Sequence, residues 1–409
     1  MPGAPAPGPL AGLFVLDLSR VLAGPWATQT LGDLGARVIK VERPGAGDDT
    51  RGWGPPFLED GSGDSTYYLC ANRNKEAIAI DFATPEGAEL VRRLAMKADV
   101  LVENYRTGTL ARYGLDPADL RALNPRLVTC SITGFGQTGP DAARAGYDFL
   151  VQGMGGLMSL TGRADNEAGG GPLKAGVPIA DLVTGLYAST SILAALMHAR
   201  ATGQGQHIDA ALMDSQVAVL ANHWSAYLNA GRVPGRLGNA HATVVPYRDF
   251  QVADGEVIVA VGSDSQFRKL CRLLAREDLA ADPRLVTNAG RQRHRDWLEA
   301  ELQGTFAGWR AADLLAAMAA EGVPGGPINR LDAVFAEPQV VARELVEDCP
   351  RATGAALRLV RYPHLLSATP ATVRQAPPRI GEHSRAILAD LLAMDEAGID
   401  RLMAAGVVA

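Results

Sequence analysis

Cysteine is scarce and scattered: the 409 residues hold four, Cys70, Cys130, Cys271 and Cys349, with no CxxC or finger spacing among them. That excludes a disulfide framework and reads as reduced thiols. The histidines show no HExxH or comparable spacing, so no metal site is expected. No run approaches the roughly 18 consecutive apolar residues of a membrane-spanning helix. The opening MPGAPAPGPL has neither the basic nor the apolar region of a secretory signal and reads as a loose arm. Excess positive charge is missing too. The formal net charge is −6, so neither nucleic acid nor an anionic membrane is expected as a partner, and a polyanionic ligand would need a local basic cluster. No GxGxxG loop or Walker lysine follows a strand, which argues against nucleotide cofactors held in the usual ways. The expectation is a soluble, cytoplasmic protein.

What is present is ordinary globular material, 47% hydrophobic and 21% charged, at a length that suits two domains. LFVLDLS reads as a buried strand. A helix through Leu34 follows, with Gly35 as its C-terminal stop, and then the strand ARVIKVE. Strand, helix and strand make a βαβ unit and so a parallel sheet. EAIAIDF, the helix from Pro85 to Lys97 opening at Thr84, ADVLVENY and LVTCSITGF repeat the pattern. The spacing predicts a doubly wound α/β large domain over residues 1–228. A smaller α+β domain is expected over 229–325, between the linkers GRVPGRLGN and VPGGPIN, with 326–409 returning to the large domain. The small domain should hold a hairpin turning at Asp254-Gly255, then amphipathic helices from Ser265 to about Ala319. LVTGLYASTSILAALMHAR predicts a long, mostly apolar helix, buried or at a subunit interface.

Three basic clusters fall at the ends of predicted strands: Lys40, Arg43 and Arg51; Arg73 and Lys75; Asn104, Arg106 and Arg112. Open parallel sheets bind ligands outside the carboxyl ends of their strands, so these groups either converge on phosphates or are solvated loop charge. In KAGVPIADLVTGLYA, Asp181 stands before the long helix. It is either a simple N-cap or a carboxylate nucleophile kept ionised by the helix terminus.

The ordered blocks LDLSRVLAGPWATQTLGDLGARVIKVERPGAGDDTR, NRNKEAIAIDF, ADVLVENYRTGTLARYGL, NPRLVTCSITGFGQTGP, GYDFLVQGMGGLMSLTG, AGVPIADLVTGLYA, GQGQHIDAALMD and VPGGPIN span nearly the whole chain. In them the chain resembles the family III CoA-transferases, the CaiB/BaiF group. The resemblance implies that Asp181 is the catalytic nucleophile, passing through an aspartyl anhydride and an aspartyl-CoA thioester. It implies CoA contacts at Val21, Leu22, Ala23, Arg43, Ile80, Asn104, Tyr105 and Arg112. Coenzyme A or acyl-CoA is then a substrate, and no permanently bound cofactor is expected. Ala83 and Thr133 stand where some members carry a CoA-facing lysine, and Lys75 is the candidate to compensate. The resemblance also implies an interlocked homodimer.

The 2-methylacyl-CoA racemases share the fold, and those resembling this chain use a histidine in a GHD segment as one of two bases. Here the segment is GYD, and the phenol of Tyr147 is a poor base near neutral pH. Asp264 stands where the racemases usually carry a glutamate. Both departures favour transfer. A binding protein that kept the fold without activity is the third reading, disfavoured by the intact surroundings of Asp181. The segment RLGNAHATVVPYRDF looks like that of members handling succinyl-CoA and dicarboxylates. Tyr147, His241, Arg236 and Arg248 are the candidate groups for the acid, with a structural loop role as the alternative for His241.

Overall fold

The computed structural model describes residues 8–351 and 354–409, so most of the expected N-terminal arm lies outside the described residues. Side-chain alternation in the strands fixes the architecture. In β1 (Phe14–Asp17), Phe14 and Leu16 enter one apolar core while Val15 enters another. In β2 (Arg37–Glu42), Ile39 and Val41 join the first core and Val38 the second. Strands that are apolar on both faces need a cover on both, which is what a parallel sheet obtains from its crossover helices. With β3 (Lys75–Ala79), β4 (Val100–Glu103), β5 (Val128–Thr133) and β6 (His207–Ala211) they form one sheet, ordered β3-β2-β1-β4-β5-β6. Every pairing in it is parallel.

On one face lies α2 (Pro85–Ala95), joined by two C-terminal helices, Ser384–Leu392 and Glu396–Ala404. The Thr84 hydroxyl caps α2 at the Gly87 amide, as the sequence predicts. On the other face lie α1 (Ala23–Asp33) and α4 (Ile179–Thr202), with α3 (Asp148–Met154) between them in sequence. By length and composition alone, α4 could cross a membrane. Ala188, Ile192, Ala195 and Ala199 bury one side of it in the second core, while Leu186, Tyr187 and Met197 stay exposed.

The strand order reverses between β1 and β4. At such a switch point neighbouring crossovers leave on opposite faces, and a crevice opens at the carboxyl ends. The residues that follow β1 and β4 are therefore placed to meet a ligand.

The chain divides into two units, and the boundaries differ from those expected. The second unit comprises Met158–Leu173 and Val233–Ala342, and the rest belongs to the first. The hairpin is present as β7 (Tyr247–Val252) and β8 (Gly255–Ala260). VPGGPIN is not a linker. Gly325–Pro327 forms β9, antiparallel to β8, pairing Val259 with Gly325 and Val257 with Pro327. This sheet shares a core with helices Asp264–Leu273, Arg295–Phe306 and Ala311–Glu321, through Phe250, Phe267, Leu302, Phe306 and Leu314.

Candidate active site

The loop leaving β1 rests on buried charge. Asp17 accepts from the Ser19 hydroxyl at 2.5 Å, the Thr28 hydroxyl at 2.6 Å and the Lys75 ammonium at 3.0 Å. Burial opposes its ionisation, but Lys75, Lys40 and the two hydroxyls hold the carboxyl below its usual range. Lys40, also fully buried, donates to the Ser19 carbonyl at 2.8 Å and pairs with Asp48 at 2.9 Å. The Asp48 carboxylate receives the Val21 amide at 3.2 and 3.3 Å. Asn104 clamps the same loop from the β4 side, accepting the Arg20 amide at 2.8 Å and donating to the Arg20 carbonyl at 2.6 Å. Between these two anchors Val21 has φ +69°. That is unfavourable for a β-branched residue, costing on the order of 1–3 kcal/mol, and it persists only where its surroundings impose it.

Two cavities flank this loop. The first, about 270 Å³, is lined by Arg20, Arg43, Ile80, Phe82, Ala83, Tyr105 and Tyr113 among others. Phe82 meets Tyr105 and Tyr113 edge-on, each at 5.6 Å, and the Arg20 guanidinium lies over the Tyr105 ring at 4.9 Å. Burial pushes the Tyr105 phenol up to about 12, so it stays neutral. Arg20 is engaged with Asp49 at 2.7 Å, whereas exposed Arg43 has no ion-pair partner among the described residues. An aromatic wall beside a free guanidinium suits a heteroaromatic ring carrying phosphate.

The second cavity, about 80 Å³, is lined by Val21, Leu22, Ala23, Asn104, Thr133, Tyr147 and Asp181, with a few neighbours. Two close backbone approaches shape it. A Cβ on Gly185 would stand 2.7 Å from the Ala23 carbonyl, so its absence lets α4 settle on the start of α1. Asp181 lies one turn earlier on that same face. Gly134 and Gly146 also touch, with a Cβ on either only 2.5 Å from the Cα of the other, and this fixes the approach to Tyr147.

Asp181 is not the N-cap expected from sequence. The helix begins at Ile179 after Pro178, and Asp181 is in its first turn. The capping carboxylate comes from Asp148, whose Oδ1 accepts the amide of Ala180 at 2.8 Å and that of Asp181 at 3.4 Å. The Gln152 amide donates to the other Asp148 oxygen at 2.6 Å, and its own oxygen accepts the Ala175 amide at 2.8 Å. With the cap supplied from elsewhere, the Asp181 carboxyl has no hydrogen-bond partner among the described residues. Burial, then the Asp148 charge, raise its pKa to about 7. An unengaged, partly desolvated carboxylate can attack a carbonyl carbon.

Of the residues singled out from sequence, Arg43, Ile80 and Tyr105 share the first cavity, and Val21, Leu22, Ala23, Asn104, Tyr147 and Asp181 the second. Arg112 is exposed on the short 3-10 turn Leu110–Tyr113 and lines neither. Lys75 must be corrected: fully buried, its three donors go to Asp17, the Pro25 carbonyl and Asn72, each at 3.0 Å, leaving none for a phosphate. Ala83 and Thr133 do face the cavities.

Arg236, His241 and Arg248 belong to the second unit, where Arg236 pairs with Asp165 and Arg248 with Glu299 at 2.9 Å. The Nδ1 atom of His241 accepts the amides of Thr243 and Val244 at 3.1 Å, which is the structural loop role. Sequence reasoning missed Asp148, whose position at the start of its own helix gives no sign that it caps another.

Residues 10–384 match the family model described as CoA-transferase family III. Succinate–glutarate CoA-transferase of Agrobacterium fabrum is 50% identical, over 94% of this chain and 96% of the relative. Succinyl-CoA:glutarate CoA-transferase of Homo sapiens is 43% identical, over 98% of this chain and 90% of the relative. Among solved structures, a CAIB/BAIF family protein from Brucella suis superposes with a TM-score of 0.84 at 49% identity, covering 94% of this chain and all of that one. These relatives do not favour the racemase reading.

Proposed function

Because the chain belongs to CoA-transferase family III and is itself a CoA-transferase, we propose that it moves CoA from succinyl-CoA to a second dicarboxylate, with Asp181 as the nucleophile. The observation that carries this reading is the unengaged Asp181 carboxyl in a cavity walled by the loop after β1. Asp181 attacks the thioester carbonyl and expels CoA thiolate, giving an acyl-aspartyl anhydride. The thiolate attacks the aspartyl carbonyl and releases the donor acid, leaving an aspartyl-CoA thioester. The acceptor carboxylate displaces the thiolate to form a second anhydride. Attack of the thiolate on the acceptor's carbonyl gives the new acyl-CoA and frees Asp181. Each step trades one activated acyl bond for another and needs no net proton. The first turn of α1, at Ala23, has no side-chain cap, and its free amides are suited to a developing oxyanion.

The first cavity is assigned to the nucleotide end of CoA, the aromatic wall meeting adenine and Arg43 a phosphate. Arg43→Gln is expected to raise KM for succinyl-CoA roughly 10-fold with kcat little changed, as loss of one charge-assisted contact should. An unchanged KM would move the phosphates elsewhere. The dicarboxylate assignment is supported by the relatives named for glutarate. Succinyl-CoA offered with a panel of acceptor acids, with products read by mass spectrometry, tests it. Transfer confined to monocarboxylates would overturn it.

Ionised Asp181 is the active form, so kcat/KM should climb with pH through a midpoint near 7. Asp148→Asn removes the neighbouring negative charge while keeping an acceptor for the Ala180 amide, and should shift that midpoint to lower pH. A pH–rate profile of both proteins checks the sign.

The exposed apolar side chains Leu186, Tyr187, Met197, Trp224, Tyr227 and Leu228 support a second copy as partner, an interlocked homodimer being the form assigned. Light scattering at micromolar concentration tests it, and a monomer there would overturn it. A cytoplasmic location belongs to the same proposal and is checked by cell fractionation.

A further inference from the structure

A third cavity, about 160 Å³, adjoins the segment that leaves β4. Its lining includes Glu103 and Ser131 from the ends of β4 and β5, His207 from the start of β6, and Arg106 and Arg121 from the loop and helix between β4 and β5. The Glu103 carboxyl is buried and already accepts the Tyr105 amide at 2.8 Å and the Ser131 hydroxyl. Burial raises its pKa to about 7, so at neutral pH it carries only part of a negative charge. The Nδ1 of His207 is bonded to the Thr129 hydroxyl at 2.9 Å, which leaves Nε2 uncommitted. Asp116, also on the lining, is engaged as the N-cap of helix Pro117–Leu123, accepting the Ala118 amide at 2.8 Å.

The two arginines are different. Neither Arg106 nor Arg121 has an ion-pair partner among the described residues, and the Nε of Arg121 is buried with no acceptor. A buried guanidinium N–H without an acceptor costs about 1–3 kcal/mol, which a bound oxygen would recover. Two unpaired guanidiniums, beside an imidazole with one uncommitted nitrogen, form a donor set for a small oxyanion.

The cavity shares a wall with the first one. Within the stretch from Asn104 to Tyr113, Tyr105, Thr109 and Tyr113 line the first cavity, while Arg106, Leu110 and Ala111 line the third. Asn104, at its head, clamps the strained loop before Val21. We propose that the third cavity binds a small oxyanion, inorganic phosphate or a short dicarboxylate, whose occupancy fixes this shared wall and tightens CoA binding next door. The coupling half rests on the first cavity being the CoA site; the anion site itself does not.

The full chain, without CoA, is titrated calorimetrically with inorganic phosphate and separately with glutarate. One saturable site is expected, weakened roughly 10-fold or more in Arg121→Gln and partly restored in Arg121→Lys. Arg106→Gln, at an exposed side chain, should weaken it several-fold and keeps the test alive should the Arg121 variant fail to fold. Glutarate binding that survives Arg121→Gln while phosphate binding is lost marks glutarate's own acceptor site and leaves phosphate as the occupant. Saturating anion should then tighten CoA by roughly 5-fold in the unaltered protein and not in Arg121→Gln, a coupling of ordinary allosteric size. Anion binding indifferent to both arginines, or abolished instead by Arg43→Gln, overturns the site. If Arg43→Gln leaves CoA affinity intact while the arginine variants still lose the anion, the CoA assignment fails and the anion site stands.

Discussion

Asp181→Ala is expected to lower the rate of CoA transfer by at least about 10⁴-fold, because the variant lacks the carboxyl on which the proposed covalent intermediate forms. CoA affinity should stay within about 3-fold, since the proposed contacts to the nucleotide lie on other elements. Trapping with succinyl-CoA and hydroxylamine, read by mass spectrometry, should modify the Asp181 peptide in the unaltered enzyme and leave the variant untouched. Appreciable exchange by the variant would mean another nucleophile. The same carboxyl predicts a gain in stability on substitution. Its pKa is about 7 when folded against an ordinary value of 3.8. Between those values the folded state holds the extra proton, so stability falls as pH rises from about 4 to 7 and the loss persists above 7. Asp181→Asn should therefore be more stable than the unaltered protein at pH 8, on the order of 2 kcal/mol after allowing for partial exposure, and indistinguishable at pH 4. Urea unfolding at the two pH values measures this. A variant that is dead and also less stable at pH 8 would mean that burial does not strain the carboxylate.

Asp48→Ala should have the largest effect on folding. Its carboxylate is fully buried against Lys40, receives the Val21 amide, and takes the amide and hydroxyl of Thr50 at 3.0 and 2.8 Å. Breaking one partner of a buried pair leaves an uncompensated charge, at a cost of about 3–5 kcal/mol. The variant should unfold at markedly lower urea and bind succinyl-CoA more weakly, because the loop at Val21 loses one of its two anchors. Asp48→Asn keeps an acceptor for Val21 and should lose less affinity. Burial opposes ionisation of Asp48, but Lys40 and the Thr50 bonds hold its pKa at about 2, below the ordinary 3.8. Its contribution is thus present above about pH 4 and lost as pH falls towards 2, worth about 2 kcal/mol. Acid unfolding compared with Asp48→Asn isolates it. A variant as acid-sensitive as the unaltered protein would exclude Asp48 as the source.

The parallel sheet was legible in the sequence because LFVLDLS and ARVIKVE are apolar on both faces, and only strands covered twice can be so. The start of α4 was less legible. Helix N-termini favour an aspartate both at the cap and within the first turn, so Asp181 alone did not reveal which it occupied. β9 escaped because Gly-Gly-Pro has no strand propensity; its place comes from backbone pairing to β8. Lys75 was read as a ligand group because it ends a basic cluster, yet its ammonium neutralises Asp17 in the core. Local sequence gives the charge of a side chain but not the depth at which it lies. Asp148 was invisible for a related reason, since its partners are 32 and 33 residues away along the chain.

That separation matters once turnover is considered. A side chain whose carboxyl is converted to anhydride and thioester and back is a poor brace, because each conversion would remove the charge that holds its helix end. Here the brace and the proposed nucleophile are different residues. In the proposed cycle Asp148 can keep its bonds to the amides of Ala180 and Asp181 whatever is attached to the Asp181 carboxyl. On the proposed mechanism the helix need not fray and re-form in every cycle, and the carbonyl of each covalent species would be presented from the same place as the one before it.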